Sequence, residues 1–302
     1  MNDYDHTNWR IIRDTSFHTN DDDFHNLNPG TMGTTSKDVI NAINHFINTY
    51  KNPLDIYKEG RSNLKKIRKE AEILWPNSNY ELAIGGSTTY WCNKLSDSFQ
   101  KIWPANDLLR PIRLITSTHE HKGALLNFEE NPSYEVLKVD DIKLNNPKDF
   151  RDILRNFNPH LALFSQKTWD SNLNFPVRDY FNLIQEVCPR TIRILDSAQS
   201  IGMDNLEFNY SEIIVCSGHK WLFGPQGSGF MWIHKCIIDK IPRFHFGERI
   251  DPDSKASIFE ESGGQNFILY AGILESLRLL KKIGQQKVKE RSLFLAKYFF
   301  DI

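Results

Sequence analysis

The stretch SGHKWLFGPQGSGF, residues 217–230, decides the fold class because it places a lysine between two apolar runs. Residues 213–216 (IIVC) lead into it and residues 230–233 (FMWI) lead out of it, and both runs are typical of buried strands. Most lysines are solvated surface charges, but Lys220 stands where burial of an unpaired charge is costly. A specific partner is therefore expected for its amine.

Length and composition narrow the class of protein. The chain has 302 residues, with 40% hydrophobic and 25% charged residues, which is ordinary for a globular protein of one or two domains. The net charge of −1 gives no basic field for nucleic acid. No apolar run has the length of a membrane span, and the first residues do not resemble a signal peptide, so we expect no membrane partner.

The cysteines indicate the cellular compartment. Their positions have neither the spacing of a zinc site nor that of a disulfide framework: Cys92, Cys188, Cys216 and Cys236. This usage fits a reducing environment, so we expect a cytoplasmic protein.

Short apolar runs alternate with helical patterns, and this alternation predicts an α/β fold with a mostly parallel sheet. A helix is predicted after Ser36, and others at 147–157 and 176–188. In such sheets the chemistry lies at the carboxyl ends of the strands. The predicted strands are residues 81–85, 113–117, 135–139, 161–165, 191–196, 212–217 and 229–233.

Two of these strands are followed by polar residues of ambiguous meaning. Residues 86–89 (GSTT) follow the first strand and begin a helical pattern, which fits either an anion site or a simple helix N-cap. His119 and His121 follow the second strand. They suggest metal binding only weakly, because no third ligand is in view, and structural histidines are the alternative.

Two later strands end in groups that one cofactor would explain. Asp196 closes an apolar strand and needs a cationic or protonated partner, unless it caps the next segment. Ser217, His219 and Lys220 follow the next strand. Pyridoxal 5'-phosphate (PLP) requires donors for its phosphate, a carboxylate for its pyridine nitrogen and a lysine amine for its aldehyde.

The chain also resembles a known family, the class V aminotransferase-like group of fold type I PLP-dependent enzymes. This group includes cysteine desulfurases, isopenicillin N epimerase-like proteins and C–S lyases. The resemblance extends from about Asn28 to about Leu280 and implies the large domain of that fold. It rests on four motifs, GGSTTYWCN (85–93), STHEH (117–121), LDSAQSIG (195–202) and SGHKWLFGPQGSGF (217–230).

The resemblance implies a role for each matched residue. Lys220 would form a Schiff base with the cofactor and move the Cα proton. Asp196 would pair with the pyridinium nitrogen, and Gln199 would hydrogen-bond the ring's phenolic oxygen. His121 would stack on the ring, and Trp169 would line its edge, where other members carry asparagine. The phosphate would be held by Thr88, Thr89, Ser217 and His219.

One further contact is expected between subunits. In the family a Gly-Thr pair often reaches the phosphate of the neighbouring subunit, and Gly264 and Gln265 occupy that place here. The resemblance therefore implies a homodimer in which Gln265 binds the cofactor.

The end of the chain departs from the family pattern. A helical pattern over 266–300 runs to the last residue, whereas family members normally continue into a small domain. That domain supplies an arginine for the substrate carboxylate and, in desulfurases, a persulfide-forming cysteine. We therefore expect a missing or truncated small domain, with a second polypeptide as one way to complete it. Arg178 and Arg249 are the candidates for a replacement clamp.

The predicted organisation is an N-terminal segment (1–27), a PLP-binding large domain (28–285) and the start of a truncated C-terminal region (286–302). The predicted function is that of a PLP-dependent enzyme acting on an amino acid or amine. Transamination or epimerase-type chemistry at the Cα proton is favoured. The alternatives are a C–S lyase or desulfurase, and a non-catalytic PLP-binding relative or partner subunit.

Overall fold

Seven strands form one sheet in the part of the chain that the computed structural model describes, namely residues 6–17, 26–49, 52–103, 111–171, 174–247, 251–263 and 265–300. Across the sheet the order is β1-β7-β6-β5-β4-β2-β3. β7 is antiparallel to both neighbours and every other pair is parallel, which confirms the predicted mostly parallel sheet. Each predicted strand is present within one residue of its expected ends. The strands are β1 (Tyr80–Gly85), β2 (Ile112–Ser117), β3 (Tyr134–Val139), β4 (Leu161–Ser165), β5 (Ile192–Asp196), β6 (Ile213–Ser217) and β7 (Gly229–His234).

The helices match the predicted patterns, with one interruption. The helix after Ser36 is confirmed, and Val39 N donates to Ser36 Oγ at 3.3 Å. The pattern over 266–300 forms two helices because Gly284, at φ +90°, adopts a backbone conformation that ends the first of them. None of the described helices is both long and apolar enough to span a bilayer. The helices are α1 (His6–Ser16), α2 (Lys37–Thr49), α3 (Pro53–Leu74), α4 (Thr88–Ile102), α5 (Lys122–Glu129), α6 (Asp141–Leu144), α7 (Pro147–Phe157), α8 (Val177–Val187), α9 (Phe267–Ile283) and α10 (Gln285–Phe300).

The predicted domain boundaries stay predictions. The N-terminal segment contains α1, while residues 1–5 and 18–25 lie outside the described part of the chain. The boundary predicted at residue 285 coincides with the break between α9 and α10.

Helices cover both faces of the sheet, which explains why the central strands β4 and β6 are buried along their whole length. In β4, Phe164 packs in a core that includes Phe181 of α8. Its neighbour Leu163 points to the opposite core, which includes Trp91 of α4. The alternation of side chains along a strand thus supplies two separate hydrophobic cores.

The carboxyl ends of β4, β5 and β6 meet at one edge of the sheet. Ser165 and Asp196 are register partners there, and Ser217 ends the neighbouring strand. Gly229, the first residue of β7, allows the chain after β1 to pack closely against β7. A Cβ on Gly229 would lie 2.2 Å from the carbonyl oxygen of Gly86. The beginning of α4 is therefore brought next to the end of β6.

Close packing of α3 on α9 depends on a second glycine. A Cβ on Gly60 would lie 2.1 Å from the ring of Phe267, which is itself packed against Tyr57 and Tyr270.

We predict that Gly60→Ala lowers the unfolding free energy by about 1–2 kcal/mol, because overpacking outweighs the gain in helix propensity. Urea denaturation measures the change. Lys69→Ala, at an exposed position of the same helix, is the control and should be near neutral. A Gly60→Ala protein as stable as wild type would contradict the packing argument.

Candidate active site

A cavity of about 630 Å³ opens at the edge where the parallel strands end. Its wall is built from residues that come after β1, β2, β4, β5 and β6, together with the segment 27–31. With the exception of Gln265, every residue predicted to contact the cofactor lines this cavity: Thr88, Thr89, His121, Trp169, Asp196, Gln199, Ser217, His219 and Lys220.

A lysine and an aspartate face the same cavity without forming a direct ion pair. Among the described residues, Lys220 Nζ has no hydrogen-bond or ion-pair partner. Burial lowers the pKa of the Lys220 ammonium, and the charge of Asp196 offsets this only in part. The Asp196 carboxylate is 4% exposed and accepts a 2.8 Å hydrogen bond from Ala198 N. Burial raises the pKa of Asp196 despite that bond and despite Lys220 and His121. A lysine with a lowered pKa is a nucleophilic amine.

The start of α4 forms a cradle suited to an anion. Ser87 occupies the N-cap position, and its hydroxyl caps no backbone N–H. Thr88 N donates to Ser217 Oγ at 3.1 Å, and Thr88 Oγ1 shares a hydrogen bond with the same hydroxyl. His219 Nδ1 is buried without a partner, and burial lowers the pKa of this histidine. A helix N-terminus with spare hydroxyl and imidazole groups favours an anion such as phosphate.

His121 and Trp169 form one side of the cavity. His121 caps α5, and its Nδ1 accepts a 3.0 Å hydrogen bond from Gly123 N. Its ring meets that of Trp169 edge to face, with centroids 5.4 Å apart. Burial and the charge of Lys220 lower the pKa of His121, so the ring is held in its neutral form. The predicted stacking of His121 on the cofactor remains a prediction.

Gln199 joins the segment 27–31 to the rest of the cavity wall. Its Nε2 donates to the carbonyl oxygen of Gly30 at 2.9 Å, and its Oε1 accepts from Trp221 Nε1 at 2.8 Å. The amide nitrogen carries a second proton, which is available for the predicted bond to a phenolic oxygen.

Other predicted residues are not brought to this cavity. The Nε2 of Gln265 donates to the carbonyl oxygen of Glu261 at 2.6 Å, while its Oε1 is buried without a partner. Arg178 pairs with Glu207 at 3.2 Å and covers the ring of Tyr210, so it does not supply a carboxylate clamp here. Arg249 lies outside the described residues.

Sequence reasoning missed a buried carboxyl group behind the cavity. Glu120 accepts hydrogen bonds from Ser117 Oγ, Ser165 N and Ser165 Oγ. Burial raises its pKa to about 7, and Asp196 adds a smaller effect in the same direction. The available signal was its place between the two histidines of STHEH, but that motif was interpreted through its imidazoles.

Sequence reasoning also missed a second lysine in the cavity wall. Lys167 comes just after β4 and is 8% exposed, and it lies two residues before the predicted Trp169. Its position after a buried strand was the available signal, but the family pattern implies an arginine for the substrate carboxylate.

His119 serves a different purpose from His121. Its Nδ1 lies 2.6 Å from Asp170 Oδ2, and its Nε2 lies 3.1 Å from Asp141 Oδ2. The hydrogen bond to Asp170, with a further contribution from Asp141, raises the pKa of His119. Within the described ranges, no group of three or more His, Cys, Asp or Glu side chains could hold a metal ion.

These groups fit PLP. The cavity contains a lysine without a partner, a buried carboxylate, and a helix N-terminus beside an unpartnered imidazole nitrogen. They match the aldehyde, the pyridine nitrogen and the phosphate of that cofactor, respectively.

Comparison with known proteins identifies the family. Residues 31–301 match the model of the aminotransferase class-V family, and the chain belongs to this family. It is a PLP-dependent member with the fold type I architecture, as the sequence motifs predicted. Comparison with curated protein sequences finds no match.

Solved structures share the fold at low sequence identity. The apo cysteine desulfurase from Thermococcus onnurineus NA1 is 18% identical with a TM-score of 0.76, covering 91% of this chain and 72% of its own. The cystine C–S lyase C-DES in complex with its product cysteine persulfide is 17% identical with a TM-score of 0.69, covering 86% and 72%. A variant of C-DES with glycine covalently linked to the PLP cofactor is 17% identical with a TM-score of 0.72, covering 96% and 76%.

The ion pairs of His119 give a testable pH dependence. Because its pKa is raised in the folded protein, His119 contributes stability that is complete below its ordinary pKa and is lost as the pH rises through the folded value. We predict that the stability loss caused by His119→Gln is largest below about pH 6.5 and shrinks above it. Urea denaturation of both proteins across pH 5 to 9 measures this. Asp170→Asn, which removes the nearer carboxylate, should flatten the dependence. A loss that grows with rising pH would contradict the pairing.

Proposed function

We propose that the chain binds PLP covalently through Lys220 and removes the α-proton of an amino acid or amine. The observation that carries the proposal is that one cavity contains both an unpaired amine with a lowered pKa and a buried carboxylate. When bound, PLP withdraws electrons through its protonated ring and stabilises the negative charge that develops at the substrate's Cα.

The residues of the chain divide the remaining tasks. Asp196 would accept a hydrogen bond from the protonated ring nitrogen and keep it protonated by its charge. Thr88, Ser217 and His219 would hold the phosphate at the start of α4. Lys220 would carry the α-proton, since burial lowers its pKa and so favours the neutral amine, which can accept a proton.

The fate of the substrate after proton removal separates two candidate reactions. Transamination or epimerisation returns the proton to a carbon atom, whereas a C–S lyase expels a sulfur leaving group from the β-carbon. Carbon–sulfur chemistry gains support from the matched structures, which include a cysteine desulfurase and the lyase C-DES. A desulfurase that forms a persulfide on its own chain has less support. None of the four described cysteines lines the cavity, and Cys92 and Cys216 are fully buried.

We predict that the protein purifies with PLP or takes it up, and that borohydride fixes the cofactor to Lys220. Peptide mass spectrometry locates the modification, and Lys220→Ala is the control that should lose it.

Product analysis then distinguishes the two candidate reactions. L-cysteine gives equal amounts of pyruvate, ammonia and sulfide in a lyase, while an amino acid with a keto acid partner gives exchanged products in an aminotransferase.

Failure of this prediction has two forms. A protein that takes up no PLP would refute the assignment altogether. Uptake and reduction at Lys220 without turnover of an amino-acid and amine panel would favour the non-catalytic alternative.

We also propose a homodimer in which Gln265 contributes to the neighbouring site. This is supported by the absence of Gln265 from the cavity of its own chain and by its amide nitrogen, which donates one proton to Glu261 O and carries a second for a phosphate oxygen. We predict that mixing inactive Lys220→Ala subunits with impaired Gln265→Ala subunits restores activity, because one site in each mixed dimer is then free of both changes. Confirmed heterodimers without regained activity would count against a shared site.

A further inference from the structure

The cavity wall contains a second ammonium group. Lys167 and Lys220 are the two lysines among the described residues that line it. Lys167 is nine-tenths buried at the end of β4, where its backbone forms a bridge with Asn174. A buried lysine beside a ligand cavity requires a compensating charge.

That charge comes from an aspartate that two lysines share. Lys167 Nζ lies 2.9 Å from Asp204 Oδ2, and Lys289 Nζ of α10 lies 2.6 Å from Asp204 Oδ1. Burial alone would raise the pKa of Asp204, but the ammonium groups of Lys289 and Lys167 bring it below its usual range. The three side chains together carry one excess positive charge. Asp204 therefore keeps a cationic partner even when Lys167 leaves it.

We propose that Lys167 binds the α-carboxylate of the substrate, an inference that rests on the proposed function. A carboxylate entering this cavity is desolvated and needs a cation. Lys220 is committed to the cofactor, and Arg178 is paired outside the cavity. The flexible four-carbon stem of Lys167 lets its ammonium exchange Asp204 for the carboxylate, while Lys289 neutralises Asp204.

The proposal specifies the substrate class. The site would prefer amino acids with a free α-carboxylate over the corresponding amines. Only an amino acid has a carboxylate that the excess positive charge can stabilise. Lys167 thus determines specificity, while the cofactor contacts at Thr88, Asp196 and Ser217 are independent of it.

The test compares two ligands that differ only in the carboxylate. PLP-loaded full-length protein is titrated with L-alanine and with ethylamine, and the ratio of their dissociation constants is measured calorimetrically. Wild type should prefer L-alanine by about tenfold or more, the range of a hydrogen bond between charged groups. Lys167→Met should bring the ratio close to one, and Lys167→Arg should keep a measurable preference.

Lys287→Met, at an exposed position of α10, is the matched control and should leave the ratio at the wild-type value. Lys289→Met removes the other partner of Asp204, so Lys167 should stay on Asp204 and the ratio should fall. PLP stoichiometry and the melting temperature of each variant establish that the protein is folded and loaded. A preference that survives in Lys167→Met would overturn the proposal. So would an equal loss in Lys167→Met and Lys287→Met, an unchanged ratio in Lys289→Met, or a loaded wild type that does not distinguish the two ligands or binds neither. A wild type that takes up no PLP would refute the proposed function and this inference with it.

Discussion

The separation of Lys220 from Asp196 is the constraint on which the site depends. Both groups are withdrawn from water, and the structure gives them no direct contact that would let one neutralise the other. Burial therefore favours the uncharged form of each group. In the ligand-free protein, the cost of removing both groups from water is not offset by an ion pair between them. The arrangement becomes favourable when a ligand supplies a protonated nitrogen to the aspartate and an electrophile to the lysine. The parallel sheet makes this separation possible because it sets the ends of β5 and β6 side by side.

A second set of polar contacts holds the walls of the cavity around that pair. Glu120 ties the loop after β2 to the end of β4 through two hydrogen bonds from Ser165, and it accepts a third from Ser117 at the end of β2. These bonds hold the loop that contains the neighbouring His121. His119 binds Asp170 from the same loop, next to Trp169. The aromatic contact between His121 and Trp169 is thus supported from both sides.

The strands and the main residues of the site were accessible from sequence because both depend on one rule. Apolar runs such as 161–165 predict buried parallel strands, and parallel strands carry function at their carboxyl ends, where Asp196 and Lys220 stand. Contacts between distant segments were not accessible in this way. The bond from Gln199 to Gly30 joins residues 169 positions apart, and no local pattern announces it. The break at Gly284 was hidden for a different reason, since helical periodicity on both sides of one glycine predicts a continuous helix.

The ion pairs of Asp204 with Lys167 and Lys289 connect the last helix, α10, to the cavity wall. The sequence predicts a boundary at residue 285, with residues 286–302 as the start of a separate region. The ion pair between Lys289 and Asp204 crosses that boundary and meets Lys167 in the cavity wall. Whether Lys167 is held by Asp204 or released from it therefore depends on a residue of α10. Any displacement of α10 that weakens the Lys289 contact would leave Asp204 reliant on Lys167 and withdraw that ammonium from the cavity. Through this ion pair, Lys289 of α10 influences the charge of the cavity wall, although no described residue of α10 lines the cavity.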